Sequence, residues 1–332
     1  MIRSSTPRQQ GFSLVELMIA MVLGLLLMAG VLQTFLSSKQ TYSTNNALAR
    51  VQESGRFAME FLTNDIRNAG YKGECLYSVN NLLNDKSEKY NADYFDLNQP
   101  ISGKNDISPT WVKNRTAGDV IHVKYAANIP GVTASGNTAA NANAIALSAA
   151  SGVAQDTIII VSDYFGCDMF QNRSNAKANS LSRGNTGSPG NKNPGKGNDF
   201  SHAYDSSMEI LTLQSSTYYI GNGVKNLPSL RRISFTTGTE THEELVEGVQ
   251  DMQVLYGIAG NDRQVDSYVS ANKVTNWDNV VSVRIYLLLV STETNVVPEN
   301  QTVNFNGTDV TIQNRRLAQV FSTTIGIRNR LP

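Results

Sequence analysis

The chain has 332 residues, and its 28 basic and 28 acidic side chains give a formal net charge of +0. That balance excludes a generic electrostatic nucleic-acid binder, which carries a basic excess or stripe. Charged residues make up 17%, below the ~25% of an ordinary globular protein, and Asn, Ser, Thr and Gly replace them, which suits exposed β structure and polar loops outside the cytoplasm. A mean hydropathy of -0.26 excludes a polytopic membrane protein.

That average hides one apolar segment. No charged residue lies between Glu16 and Lys39, and Leu17 to Leu32 is almost continuously apolar. A helix from Phe12 to Leu36 would be roughly 37 Å long, enough to cross a ~30 Å hydrocarbon core. No second run of this length occurs, so a single membrane crossing is expected. The preceding residues carry Arg3 and Arg8 and no acid; such flanks stay cytoplasmic and place the rest of the chain in the periplasm. A secretory signal peptide fits poorly, because Leu32, Gln33 and Thr34 offer no small-residue cleavage pattern after the apolar run. Glu16 sits just inside the segment. A carboxylate facing lipid there costs ~2.5 kcal/mol or more, so a cationic partner is expected. An amino terminus created near Phe12 would supply one.

Gly11-Phe12-Ser13-Leu14-Val15-Glu16-Leu17 resembles the processing motif of type IV pilins and pseudopilins. The resemblance implies a leader peptide over 1–11, cleaved after Gly11 by the prepilin peptidase, and N-methylation of the new terminal Phe12. It also implies that Glu16 pairs with the terminal amine of a neighbouring subunit. At low local dielectric such a pair sets register, and a lone partner is strongly penalised. Loss of Arg3 and Arg8 leaves 26 bases against 28 acids, a net of −2.

Residues 12–36 then form the transmembrane and assembly helix, with an amphipathic continuation over 37–70. Leu48, Val51, Gly55, Ala58, Leu62 and Ala69 recur at helical intervals, with Phe61 and Ile66 widening the stripe. Arg50, Glu53, Arg56, Glu60 and Asp65 occupy the other side, and Gly70 is a plausible stop. The segment 52–75, QESGRFAMEFLTNDIRNAGYKGEC, resembles the PilW group of minor pilins, related to the J-type pseudopilins of type II secretion.

Residues 71–332 read as a periplasmic β-rich head. Candidate strands are Val120–Tyr125, Thr157–Ser162, Glu209–Ser215, Ser216–Ile220, Leu230–Thr236, Leu245–Gly257, Val280–Val290 and Ala318–Arg328. Val280–Val290 reads as a central strand buried on both faces near Leu287–Val290. The fold class is α+β and pilin-like: a long N-terminal helix packed on an antiparallel sheet with long loops. Residues 245–258 and 318–330 resemble segments of the same group, the second a strand ending in Arg328-Asn329-Arg330. Two insertions, 128–151 and 171–198, read as loops, the second mobile. Arg173, Lys177, Arg183, Lys192 and Lys196 make the second locally basic, the one place for nucleic-acid or anionic-surface contact, although solvated loop cations are the default.

Cys75 and Cys167 are the only cysteines, and in an oxidising periplasm two cysteines pair. His122, His202 and His242 are scattered, and no metal-ligand spacing, GxSxG, Walker A or GxGxxG occurs. His122 reads as a surface or edge-strand residue. Asp163 and Asp168 flank Cys167 and give a weak signal for Ca²⁺. No enzymatic activity, metal or cofactor is expected. The resemblance implies a minor pilin that joins other minor pilins in an inner-membrane priming complex, initiates assembly of the major pilin and sits at or near the tip. The prepilin peptidase, the inner-membrane assembly platform and, before assembly, the lipid bilayer are the other partners; nucleic acid is not expected. A J-type pseudopilin and a tip-located adhesin are the alternatives.

Overall fold

The computed structural model describes residues 11, 13–106, 115–195, 197–260 and 264–330; Arg3, Arg8, Phe12 and Lys196 lie outside this set. The first element, α1 (Leu14–Asn68), is 55 residues of unbroken helix, about 80 Å long. Its first thirty positions, to Ser43, are exposed. From Ala47 a stripe of Val51, Gly55, Ala58, Leu62 and Ile66 is buried. The stripe differs from the sequence expectation at two positions. Phe61 is 40% exposed. Asp65, expected on the polar side, is buried because its carboxylate accepts the hydroxyls of Tyr125 at 2.8 Å and Tyr218 at 2.6 Å.

The head begins with β1 (Asn80–Asn81), α2 (Ala92–Phe95), β2 (Ile101–Lys104), β3 (Arg115–Asn128), β4 (Ala144–Ala146), β5 (Ile158–Asp163), β6 (Gly166–Gln171) and β7 (Ser180–Ser182). It continues through β8 (Glu209–Asn222), β9 (Pro228–Ser234), β10 (Thr241–Glu247), β11 (Val249–Ala259), β12 (Val265–Ser270), β13 (Val280–Val290), β14 (Thr302–Phe305), β15 (Thr308–Thr311) and β16 (Ala318–Gly326). One sheet has the order β1-β6-β5-β8-β3-β2, antiparallel except for the β1–β6 pair, with β9 and then β10 branching from β8. The runs Glu209–Ser215 and Ser216–Ile220 are one strand, β8, whose first part pairs with β5 and whose second part pairs with β9.

A second antiparallel sheet has the order β12-β11-β13-β16 and carries α1. In β13, Leu287 and Leu289 share a core with the α1 stripe, while Leu288 and Val290 pack with Phe305 and Ile312 of the β14–β15 region. Both faces are covered, which is why this strand reads as a continuous apolar run. Gly55 is the notch in α1 that receives the Phe321 ring of β16; a Cβ there would overlap it.

The run expected as one strand over Leu245–Gly257 is broken at Gly248, where the chain passes from the first sheet to the second. Gly248 has φ +87°, which favours glycine. Its N–H donates to Pro228 O at 2.9 Å and its carbonyl accepts from Val290 N at 2.9 Å.

The two insertions are not separate loops. Ala144–Ala146 and Ser180–Ser182 pair antiparallel, and Ile145, Leu147, Leu181, Phe200 and Tyr204 form a core with Ile159, Val161 and Phe170 of β5 and β6. Their low-apolar composition conceals this, because much of the packing is organised by polar side chains bonded to backbone.

Candidate functional site

The site to which the sequence points is the start of α1. Ser13 is the N-cap: the Glu16 N–H donates to Ser13 Oγ at 3.2 Å, and the Ser13 N–H donates to Glu16 Oε2 at 3.0 Å. This reciprocal capping box satisfies two N–H groups that the helix leaves without partners. It also holds the acid where the helix dipole favours negative charge. Gly11 is exposed, with open space where a Cβ would stand. The structure therefore brings Glu16 to Ser13, and the Phe12 side of the expected pair lies outside the described residues. Ser13 was not singled out from the sequence, although S-x-x-E before an apolar run is a readable capping signal.

Beyond the cap, α1 contains an 18-residue window of mean hydropathy 2.5, with none of it buried. By length and composition this helix is able to cross a membrane. It first meets the head where Gln40 Nε2 and Thr44 Oγ1 donate to Val296 O at 2.5 and 2.7 Å. Its far end is closed by the last described residues. Asn329 Nδ2 donates to Asn68 O at 3.2 Å and Ala69 O at 3.1 Å, taking carbonyls that a helix C-terminus leaves without donors. Arg330 Nη1 donates to Trp277 O and Val280 O. Arg328–Arg330 is thus a 3₁₀ turn that locks α1 to the second sheet, where the sequence reading placed a strand end.

Cys75 and Cys167 form a disulfide across a sequence separation of 92. It ties the chain just after α1 to β6. The neighbouring acids are committed to structure. Asp163 accepts the Phe165 and Gly166 N–H groups and lies 2.9 Å from His202 Nε2. Asp168 is buried, accepting from Asn80, Ser201 and Tyr204. Among the described residues no group of three His, Cys, Asp or Glu side chains is placed to hold a metal ion.

His122 corrects the edge reading: it is buried in β3, between β2 and β8, with Nδ1 2.7 Å from Thr217 Oγ1. Burial holds its pKa well below the ordinary value, against the pull of Asp93. The alternating pattern misled because this sheet is covered on both faces at that strand. Lys124, beside it, donates to the carbonyls of Ala92 and Asp93 and is pushed down to about 8 by burial.

The basic loop is likewise corrected. Arg183 is buried, its Nε donating to Ala142 O at 2.8 Å, its Nη1 to Asn198 O, and its guanidinium 4.4 Å from the Phe200 ring centre. Arg173 pairs with Asp156, and Lys192 with Asp85 at 3.2 Å. Arg183 ties the second insertion to the first, and Arg173 and Lys192 tie it to neighbouring parts of the head, so these three cations are engaged in structure, while Lys177 is exposed.

Residues 6–32 match the family of the prokaryotic N-terminal methylation motif, and residues 217–329 match the family of type IV pilus-assembly protein W. The chain resembles the PilW minor pilins of type IV pili. No curated protein and no solved structure matches it. The two matches support a type IV pilus-associated pilin, and similarity to that family points to a structural protein that interacts with other pilins and the assembly machinery. Its motif and apolar helix fit an inner-membrane-anchored pilin that is later incorporated into the pilus. The PilW match starts within β8 and takes in the whole second sheet and the Asn329 cap. The insertions and the disulfide lie outside it.

Proposed function

We propose that this pilin is cleaved after Gly11, methylated at Phe12, and recruited with other minor pilins into a priming complex that starts the pilus and stays at or near its tip. It acts by association and not by catalysis. The observation that carries this reading is the stem: the first part of α1 stands clear of the head, and its single carboxylate is held at the very start by Ser13. An apolar helix without cover needs lipid or other helices around it. Glu16 Oε2 already accepts one N–H, so the carboxylate enters the bilayer partly satisfied and retains Oε1 for the amine of the Phe12 terminus of an adjacent subunit. In a dry helix bundle that exchange of surroundings favours one register.

Gly11→Glu should leave an uncleaved precursor of unchanged mobility; shortening by the peptidase would show that the cleavage site is elsewhere. Glu16→Ala should be processed but should fail to join filaments normally, and wild-type incorporation would end the pairing mechanism. Deletion should abolish surface pili while sparing protein secretion. Lost secretion with intact pili would instead favour a J-type pseudopilin.

A further inference from the structure

The last strand, β16, is an open edge of the second sheet. Its pairing with β13 runs without a bulge from Ser282↔Gly326 to Val290↔Ala318. The phase of this ladder is fixed at both ends. Ser291 N–H donates to Leu317 O at 2.7 Å, and Ile327 N–H donates to Val281 O at 2.9 Å. In an antiparallel pair, alternate residues turn their N–H and C=O groups toward the neighbouring strand. Gln319, Phe321, Thr323 and Ile325 therefore bond to β13, and Ala318, Val320, Ser322, Thr324 and Gly326 turn theirs outward. Gln301 Oε1 takes the Ala318 N–H at 2.7 Å. The outward N–H and C=O groups of Val320, Ser322 and Thr324 have no partner among the described residues, and Ser322 and Thr324 are exposed.

Unpaired strand edges are ordinarily blunted by short length, by charge or by a bulge. The other edges of the two sheets follow that rule. β1 has 2 residues, and β2 has 4 and ends in Lys104. β10 carries Glu243, Glu244 and Glu247, with a break in register between Glu244 and Val246. β12 carries Asp266 and is irregular against Ile258 and Ala259. β16 has 9 residues with no charge and no proline. The surroundings of this edge are basic: residues 315–330 contain arginines at 315, 316, 328 and 330 and no acid. Arg315 is engaged by Asn295 and Arg330 by Asp278. Arg316, Arg328 and, on β13, Arg284 make no ion pair among the described residues; Arg284 Nε donates to Thr324 Oγ1 at 3.1 Å.

We propose that the β16 edge accepts a β-strand from a different pilin, a strand with an uncharged centre and carboxylates at its ends. Main-chain hydrogen bonds to Val320, Ser322 and Thr324 hold the added strand, and the arginines select acidic flanks. A second copy does not fit. Gly55 lies at Phe321, and Asn68 and Ala69 lie at Asn329, so α1 runs beside β16 in the same direction. Two β16 edges paired antiparallel would point their stems in opposite directions, away from any shared membrane, and would bring two basic rims together. One edge takes one strand, so the contact stops at a single neighbour and does not propagate. That the donor is a pilin rests on the minor-pilin reading above; the strand addition itself does not.

The experiment uses the full chain in cells that assemble the pilus, with benzoylphenylalanine at position 324 as a photo-cross-linker. The product should join this chain to a different chain with a G-F-x-x-x-E start, and the acceptor peptide should lie in a strand of that chain's head. Ser322→Pro, with Val320→Pro as a second variant, removes an outward N–H and leaves the β13 ladder intact. Each should lower the cross-link yield roughly tenfold or more, because a carbonyl of the added strand loses its donor, with the circular dichroism of the purified chain unchanged. Thr323→Pro removes an inward bond and should unfold the sheet; a folded Thr323→Pro chain would overturn the phase and the proposal with it. The expected product, from a chain whose deletion leaves piliation intact, would keep this contact and refute the priming reading. No product from a chain whose deletion abolishes pili would refute the contact and keep that reading. Products with a second copy, with a helix of the neighbour or with a non-pilin envelope protein, or yields indifferent to both proline variants, would each overturn the proposal.

Discussion

Replacing both Cys75 and Cys167 by Ala tests what the disulfide does for the head. The bond closes a loop of 92 residues. The chain-entropy treatment gives about 16 cal/mol/K for a loop of that length, or about 4.6 kcal/mol at 25 °C. Both cysteines are also buried in a core with Ile158, Ile160 and Met169, so loss of the two sulfurs adds ~1–2 kcal/mol of transfer and cavity cost. The expected loss is about 6–7 kcal/mol, a large share of the 5–15 kcal/mol of an ordinary domain. Guanidinium unfolding of the full chain in detergent, followed by tryptophan fluorescence, reads the midpoint and the slope. The slope should rise in the variant, since its unfolded state is free to expand. Either single substitution should cost about as much as the double, because either one removes the same loop closure. A double variant within ~1 kcal/mol of wild type, with an unchanged slope, would refute the reasoning.

Gly248→Ala should destabilise the head by about 2–4 kcal/mol, because φ +87° is strained for a side chain and the new Cβ would stand 2.8 Å from Val290 O; thermal unfolding checks this. Arg183→Met strands the Ala142 and Asn198 carbonyls in the interior and should cost about 3–5 kcal/mol, with hydrogen exchange rising first across 139–200. Asp119 is buried, accepting from Asp106 N at 3.0 Å and Val254 N at 2.8 Å, and burial raises it to about 6. Its folded pKa lies above the unfolded value, so its contribution is complete below pH ~4 and is lost as pH rises to ~6. Relative to Asp119→Asn, the wild type should therefore lose about 2–2.5 kcal/mol between pH 4 and 7; parallel stability profiles would count against this assignment.

What the sequence disclosed follows from which physical signals are local. The stem is legible because an uncharged apolar run with a basic flank has few alternatives. The limits of β13 are legible because its two faces bury different cores and its second half, Ile285–Val290, has no charged residue. Two cysteines allow one pairing. The errors arise where long-range partners decide. Asp65 reads as solvent-facing until Tyr125 and Tyr218 are brought to it from β3 and β8. His122 and Arg183 are polar residues whose burial depends on backbone carbonyls and hydroxyls distant in sequence. Gly248 is an ordinary glycine in a strand pattern until the chain has to change sheets there. Asn329 acts on Asn68 and Ala69 across nearly the whole chain.

The order of synthesis gives that last contact a temporal meaning. The buried stripe of α1 is among the first segments made, whereas β13 and β16, which cover much of it, and the asparagine that ends it are among the last. At 5–20 residues per second, the wait from Ile66 to Asn329 is roughly 10–50 s. During that interval the stem has time to enter the bilayer and the Cys75–Cys167 loop has time to close, while the side of residues 47–66 that meets β13 and β16 is still uncovered. A nascent pilin of this design is thus anchored before it is folded, and its assembly helix becomes rigid along its full length only once the final turn has arrived.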